Sequence, residues 1–140
     1  MKMNELQRVN EEELDWDDDV SVLNGTPFSG IAYMLYPDGA LEWEVTYHDG
    51  FKEGLVQEFH SNGKLKREWL ADRGRTKGAR KEWDENGNLK SEGVYEFGVE
   101  LEYSEWTESG EQIVHRTLDP ESDLAKYVQQ QREARIPQSN

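Results

Sequence analysis

The sequence predicts an all-β fold, an antiparallel meander of β-hairpin repeats of about 24 residues with a helix after it. The first reason is the spacing of glycine, because self-similarity at a fixed period is typical of repeat architectures. Glycines recur 24 residues apart in three series: Gly30, Gly54 and Gly78; Gly39, Gly63 and Gly87; Gly50, Gly74 and Gly98. The second reason is that apolar and polar residues alternate on either side of each expected turn, as in half-buried strands.

Each repeat is centred on a turn sequence. The turns are Pro37-Asp38-Gly39, Ser61-Asn62-Gly63 and Glu85-Asn86-Gly87. We expect two-residue hairpin turns, because Asp-Gly and Asn-Gly accept the positive φ angles that such turns need. The fourth repeat, from Gly98, is degenerate, as terminal repeats often are. The pattern indicates about seven to nine strands.

Apolar residues at equivalent repeat positions are expected to stack into one buried face, with a charged face opposite. The expected core includes the tryptophans Trp43, Trp69, Trp83 and Trp106. The stacked columns are Leu35, Phe59 and Trp83; Leu41, Leu65 and Leu89; Tyr47, Ala71 and Tyr95.

We divide the chain into three segments. Residues 1–19 form an acidic N-terminal arm, expected to be mobile or a short helix. Residues 20–118 form the hairpin-repeat domain, with a first strand over residues 20–23 and a turn at Asn24-Gly25. Residues 119–140 form a C-terminal helix and tail. Asp119 is the expected N-cap of this helix and Pro120 its first residue, and the helix is expected to cover an open sheet edge or end.

Composition excludes several classes of protein. The chain has no Cys, which excludes disulfides and thiolate chemistry. Neither a secretory signal nor an apolar stretch of membrane-spanning length is visible. We therefore expect a soluble, cytoplasmic protein.

No catalytic or metal-binding pattern is present in the sequence. No Ser lies in a nucleophile-elbow context, and His48, His60 and His115 lack metal-ligand spacing. The segment 84–88 lacks the twelve-residue spacing of a calcium loop and is explained by a hairpin turn. The glycines are spaced for turns rather than for a phosphate loop. The sequence therefore predicts a protein that is not an enzyme and uses no cofactor and no metal.

The formal net charge of −14 argues against direct nucleic-acid binding through phosphates and favours a basic protein partner. Trp16 lies among carboxylates, which indicates either an aromatic that inserts into a cationic groove or a solvated tail. We predict partner contacts from two acidic clusters: Asp15, Trp16, Asp17, Asp18 and Asp19, and Glu100, Glu102, Glu105 and Glu108.

A basic belt runs from Arg73 to Lys81, with five bases in nine residues. Such a belt is able to bind phosphate or anionic lipid. The acidic excess elsewhere favours pairing with carboxylates of this chain or of a partner.

The repeat has the pattern Gly-x3-Gly, a strand ending in an aromatic, Asn/Asp-Gly-x-Leu, then Glu and an aromatic. This pattern resembles the MORN-variant repeat and, more narrowly, the YwqK-type antitoxin family of bacterial toxin–antitoxin and immunity systems. The resemblance covers roughly residues 20–113 and is closest over residues 23–55, "LNGTPFSGIAYMLYPDGALEWEVTYHDGFKEGL".

The resemblance implies a single twisted antiparallel sheet of stacked hairpins that acts as the cognate inhibitor of a toxin. The chain would bind the toxin domain as a heterodimer and block its active site, being otherwise a monomer without membrane contact. A nuclease, a deaminase or another enzyme remains open as the toxin. The alternatives are a general scaffold or adaptor, and a peripheral membrane binder that uses the basic belt.

Overall fold

The structure is a computed structural model that describes residues 6–135. Before the repeats it has short elements: β1 (Arg8–Asn10), a 3-10 turn (Glu11–Glu13), β2 (Asp15–Asp17), β3 (Val20–Leu23) and β4 (Thr26–Pro27). The repeat strands are β5 (Gly30–Leu35), β6 (Leu41–His48), β7 (Phe51–Phe59), β8 (Leu65–Asp72), β9 (Arg75–Trp83), β10 (Leu89–Glu96), β11 (Val99–Trp106) and β12 (Gln112–Thr117). The helix α1 (Asp123–Ala134) follows.

The main sheet has nine strands in the order β1-β5-β6-β7-β8-β9-β10-β11-β12. Strands β5 to β12 form the expected antiparallel meander, and only β1 joins in parallel, with Val9 opposite Ala32. Strands β2, β3 and β4 form a separate three-stranded sheet. The all-β class, the hairpin repeats and the C-terminal helix are confirmed, as is the predicted strand over residues 20–23.

The hairpin turns differ from the expected type. In the first turn, Tyr36 N donates to Ala40 O and Gly39 N donates to Tyr36 O, so that the loop has three residues. Only the glycine of this loop has a positive φ, +91° at Gly39, which is the arrangement of a turn followed by a bulge. The same backbone bonds recur in the later repeats over residues 60–64, 84–88 and 107–111.

Two-residue turns with positive φ at both positions occur instead at the connections between hairpins. Asp49-Gly50, Arg73-Gly74 and Phe97-Gly98 have φ near +50° and then near +80° to +86°. The prediction of two-residue turns at Pro37-Asp38-Gly39, Ser61-Asn62-Gly63 and Glu85-Asn86-Gly87 was therefore wrong, because each of these loops has three residues and a positive φ only at its glycine.

A β-bulge follows each of the four hairpin turns and changes which residues face inward; the extra residues are Glu42, Lys66, Lys90 and Ile113. The register shifts between Met34 and Leu35 and between Glu58 and Phe59. The bulges pair Leu35 with Leu41 across the hairpin, at the turn end of the sheet. The columns containing Leu35, Phe59, Trp83, Leu41, Leu65 and Leu89 are consequently half-buried at best, and Leu35 is 41% exposed. The expectation that these columns are buried was wrong, whereas Tyr47 and Ala71 of the third column are buried.

The buried core lies over the first repeats. Its members are Val9, Phe28, Ala32, Val45, Tyr47, Val56 and Ala71, and Leu14, Leu23, Trp43 and Trp69 pack around them. Val9 and Leu14 belong to the N-terminal arm, so the arm supplies the cover that the apolar face of a single sheet needs. The expectation of a mobile arm or short helix was therefore wrong for residues 8–17, apart from the 3-10 turn.

The connections between hairpins are linked by backbone bonds at the repeat spacing. Gly50 N donates to Phe28 O, Gly74 N donates to Lys52 O, and Gly98 N donates to Thr76 O. We call this side of the sheet the connection end. It positions both the N-terminal elements and α1.

The helix α1 begins later than predicted and packs on the connection end. Its N-cap is Ser122, whose Oγ accepts a hydrogen bond from Ala125 N, so the expected cap at Asp119 was wrong. Val128 is buried, and Tyr127 Oη accepts a hydrogen bond from Arg75 Nη1 at 3.0 Å. The helix thus covers an end of the sheet, and within residues 6–135 no strand pairs with the outer edge of β12.

Candidate protein-binding surfaces

The first predicted cluster lies on an ordered hairpin, which we call the acidic hairpin (residues 15–23). Its outer strand β2 pairs with β3, so that Trp16 lies opposite Ser21. Trp16 is 77% exposed. The four aspartates of the cluster, Asp15, Asp17, Asp18 and Asp19, are exposed as well. The structure therefore places Trp16 on a strand rather than in a solvated tail.

A local capping arrangement fixes the segment before the acidic hairpin. Asn10 Oδ1 accepts from Glu12 N, and Glu13 Oε2 accepts from Asn10 N, which satisfies otherwise unpaired donors of the 3-10 turn. In the same turn, Glu11 Oε2 accepts a hydrogen bond from Trp43 Nε1 of the main sheet. These contacts hold the acidic hairpin in a defined orientation.

The acidic hairpin is hydrogen-bonded to the connection end of the main sheet. Ser21 N donates to Gly50 O at 2.9 Å, and Ser21 is buried. Burial, together with the nearby Glu11 carboxylate, raises the pKa of Tyr47, while a hydrogen bond with Ser21 lowers it. Tyr47 therefore remains a neutral part of the core at physiological pH.

The second predicted cluster does not form one surface. Glu102 and Glu105 are three residues apart on β11 and so point to opposite faces, and Glu108 lies in the last hairpin turn. Glu100 accepts hydrogen bonds from Arg116 Nε and Nη2 at 2.8 and 2.9 Å. These bonds hold the pKa of Glu100 below its usual value although burial opposes the shift.

The two predicted clusters also lie apart. The acidic hairpin contacts the connection between β6 and β7, and three strands separate β7 from β11. The distance across the sheet from β7 to β11 is four strand spacings, or about 19 Å. The acidic hairpin keeps its predicted residues within five consecutive positions, with Trp16 on the opposite face of β2 from Asp15 and Asp17.

The basic belt is divided by the fold. Arg80 stacks on the Trp69 ring, with its guanidinium 4.3 Å from the ring centre, whereas Lys81, on the opposite face, lies 3.6 Å from Glu92. Arg73 lies over Phe51 and Arg75 contacts Tyr127. These bases do not form one continuous surface.

A second surface, which sequence reasoning missed, is the sheet face over β8 to β12, which the N-terminal segment leaves uncovered. Arg67 bridges two carboxylates here, donating from Nη1 to Glu58 and from Nε to Glu82, each at 2.6 Å. Burial would raise the pKa of Glu82, but hydrogen bonds from Arg67 and Lys90 lower it below the usual value. The sequence offered one signal for this surface, which is the 24-residue spacing of Glu58 and Glu82.

The described part of the chain offers little for other chemistry. Within residues 6–135, no group of three or more His, Asp or Glu side chains is placed to hold a metal ion. Among the same residues, no helix combines the length and apolar character that crossing a membrane requires.

Comparison with known proteins supports the assignment of hairpin repeats to this chain. The family model described as the MORN repeat variant matches residues 52–70 and 77–96. Two adjacent hairpins match the MORN repeat variant. Hairpin repeats of this kind indicate a protein-interaction scaffold. Among curated proteins, none matches the chain.

Among the solved structures that match, one is similar over most of this chain. It is described as accessory secretory protein 1,2 and 3 in Streptococcus pneumoniae, with 16% identity and a TM-score of 0.38. The similarity covers 81% of this chain and 20% of that chain. This chain thus spans about a fifth of that protein's length, and a similarity this weak carries no argument about function.

Proposed function

We propose that the protein is an immunity protein or antitoxin that binds a cognate bacterial toxin and blocks its active site. The observation that carries the proposal is Trp16, held 77% exposed on a paired strand among four exposed aspartates. The MORN-variant repeats support a protein-binding role. In this proposal the protein is not an enzyme and uses neither cofactor nor metal.

The chemistry of the acidic hairpin favours a basic partner surface. An exposed tryptophan is a frequent anchor of protein interfaces, where it fills a pocket on the partner. Carboxylates around such an anchor are complementary to a cleft lined by Lys and Arg, and they raise the association rate. A toxin that acts on nucleic acid, such as a nuclease or deaminase, has a cleft of this kind because it must hold phosphates.

The hydrogen bonds that attach the acidic hairpin to the main sheet add to the proposal. The hydrogen bond from Trp43 to Glu11 and the backbone bond from Ser21 to Gly50 fix both sides of its base. A binding element that is already ordered loses less entropy on association. The four aspartates repel each other in the free protein, and a basic partner would relieve that repulsion.

The test uses a toxin domain captured from the native cell, with association and dissociation measured by surface plasmon resonance. We expect Trp16→Ala to weaken binding about 30-fold, mainly through faster dissociation, as for a hot-spot residue worth about 2 kcal/mol. Replacing Asp15, Asp17, Asp18 and Asp19 by Asn should slow association and flatten its salt dependence.

The second acidic cluster supplies the matched control. Glu100, Glu102, Glu105 and Glu108 changed together to Gln remove the same number of charges from the far side of the sheet. Their replacement should change the association rate less than the aspartate variant does. Loss of toxin protection in the glutamate variant alone would move the interface to β11, and failure to protect cells from any captured toxin would overturn the proposal.

A general scaffold or adaptor is the second candidate. It is favoured by the uncovered face over β8 to β12, where Arg67, Arg80 and Arg116 are held by carboxylates or aromatic rings. Capture of several unrelated partners, with binding lost on change of Arg80 and not of Trp16, would favour this candidate. The divided basic belt gives no support to a peripheral membrane binder.

A further inference from the structure

A cavity of about 160 Å³ lies at the connection end, between β9 and the last turn of α1. Its wall carries four cationic side chains from two segments that are distant in sequence: Arg75, Lys77, Arg132 and Arg135. Phe97 supplies an apolar part of the lining. We call this cavity the basic pocket.

The basic pocket holds more positive than negative charge. Arg132 Nε donates to Glu96 Oε2 at 2.5 Å, and Arg135 Nη2 lies 3.3 Å from Asp72 Oδ2. Within residues 6–135, no carboxylate pairs with Arg75 or Lys77. Four cations and two carboxylates leave an excess of two positive charges, in a chain whose net charge is −14.

Neutral groups also contact the guanidinium groups of Arg75 and Arg135. Arg75 donates to Tyr127 Oη at 3.0 Å, and its guanidinium lies 5.6 Å from the centre of the Phe97 ring. The guanidinium of Arg135 lies 5.1 Å from the same ring. A guanidinium has five N–H donors, so these contacts orient Arg75 and Arg135 while leaving donors unused.

Phe97 itself has an unusual backbone conformation. Its φ of +52° lies in the left-handed region, which costs a bulky residue energy and persists where the surrounding structure maintains it. Asp49 and Arg73 stand at the same turn position in the earlier repeats. Of these three turns, only the one at Phe97 therefore has an aromatic ring, and that ring lies near the guanidinium groups of Arg75 and Arg135.

We propose that the basic pocket binds a small oxyanion of the phosphate class, either inorganic phosphate or a phosphomonoester. Guanidinium forks and a nearby ammonium are the groups that bind such oxyanions best. A cavity of this volume accommodates a single phosphate group. A free ligand is favoured over a lipid headgroup, because the net charge of −14 repels an anionic bilayer.

The test is isothermal titration of the full chain with inorganic phosphate, against sodium chloride of equal ionic strength. We expect saturable phosphate binding, weakened at least 10-fold by Lys77→Gln. The matched control is Lys126→Gln, which removes an exposed charge from α1 outside the pocket and should change affinity less than twofold. Among residues 6–135 no carboxylate pairs with Lys77, so its variant should fold, and circular dichroism verifies this.

Two outcomes of the titration would overturn the proposal. One is heat from phosphate no greater than that from chloride. The other is equal weakening in the Lys77→Gln and Lys126→Gln variants, which would indicate a general charge effect. Flotation with phosphatidylglycerol vesicles, lost in Lys77→Gln, would contradict the free ligand and assign the oxyanion to a lipid headgroup.

Discussion

At the scale of single residues, Gly50 and Gly74 show how position in the fold changes the role of a repeated glycine. Both have φ of +86° and the same place in a connection turn. A Cβ added at Gly50 would collide with Val20 Cγ1 and lie 2.9 Å from Ser21 O, whereas one at Gly74 meets nothing within 4 Å. Only Gly50 permits the close approach of the acidic hairpin.

Replacing each glycine by alanine should separate the cost of the left-handed backbone from the cost of the steric contact with β3. Gly74→Ala should lower the free energy of unfolding by about 1–2 kcal/mol, which is the cost of the left-handed conformation for a residue with a Cβ. Gly50→Ala carries the same cost and also displaces β3, so we expect a loss at least about 1 kcal/mol larger. Urea denaturation measures both, and equal losses would contradict the contact with β3.

At the scale of elements, the segment between β4 and β5 contributes more to the core than its sequence suggests. Phe28 is 2% exposed, and its ring packs edge-to-face on Tyr47 with centres 5.9 Å apart. Leu70 lies in the middle of β8 and is 48% exposed. An apolar residue in a regular strand is thus less buried than one in a connection.

Alanine substitutions of Phe28 and Leu70 test this difference in burial. Phe28→Ala should cost about 3–5 kcal/mol, as large-to-small changes at buried aromatics do. Leu70→Ala should cost less than about 1 kcal/mol because its side chain already contacts solvent. Thermal melting of both variants provides the measurement, and similar melting temperatures would show that the core has been placed on the wrong residues.

At the scale of the whole molecule, stability should decrease along the repeat array. Six of the seven residues in the main core cluster lie at or before Val56, and within β9 to β12 Val99 is the one buried hydrophobic residue. Repeats contact mainly their neighbours, so local stability follows the cover that each repeat has.

Hydrogen exchange should report this gradient. We expect the amides of β6 and β7 to exchange more slowly than those of β10 and β11, although all four strands are paired on both sides. Mass spectrometry of exchanged peptides resolves the two regions. Equal protection across the sheet would show that the repeats unfold as one unit.

Much of the fold could be predicted because its signals are local in sequence. The 24-residue glycine period and the alternation around Leu41, Trp43 and Val45 established hairpins, strand number and the all-β class. The helix near the C-terminus was also predictable, with an error of three residues at its N-cap. Each of these features depends on neighbours within about one repeat.

The sequence by itself determined the repeat, the antiparallel pairing of the repeat strands and the position of the two acidic clusters along the chain. Tertiary structure alone decided which residues are buried, because the extra residue of a β-bulge, Glu42, puts Leu41 and Trp43 on opposite faces of the sheet. It also decided that the arm joins the core and that Arg75 meets α1. These outcomes depend on contacts between distant segments, such as Glu11 with Trp43 and Arg75 with Tyr127, and no local pattern specifies such contacts.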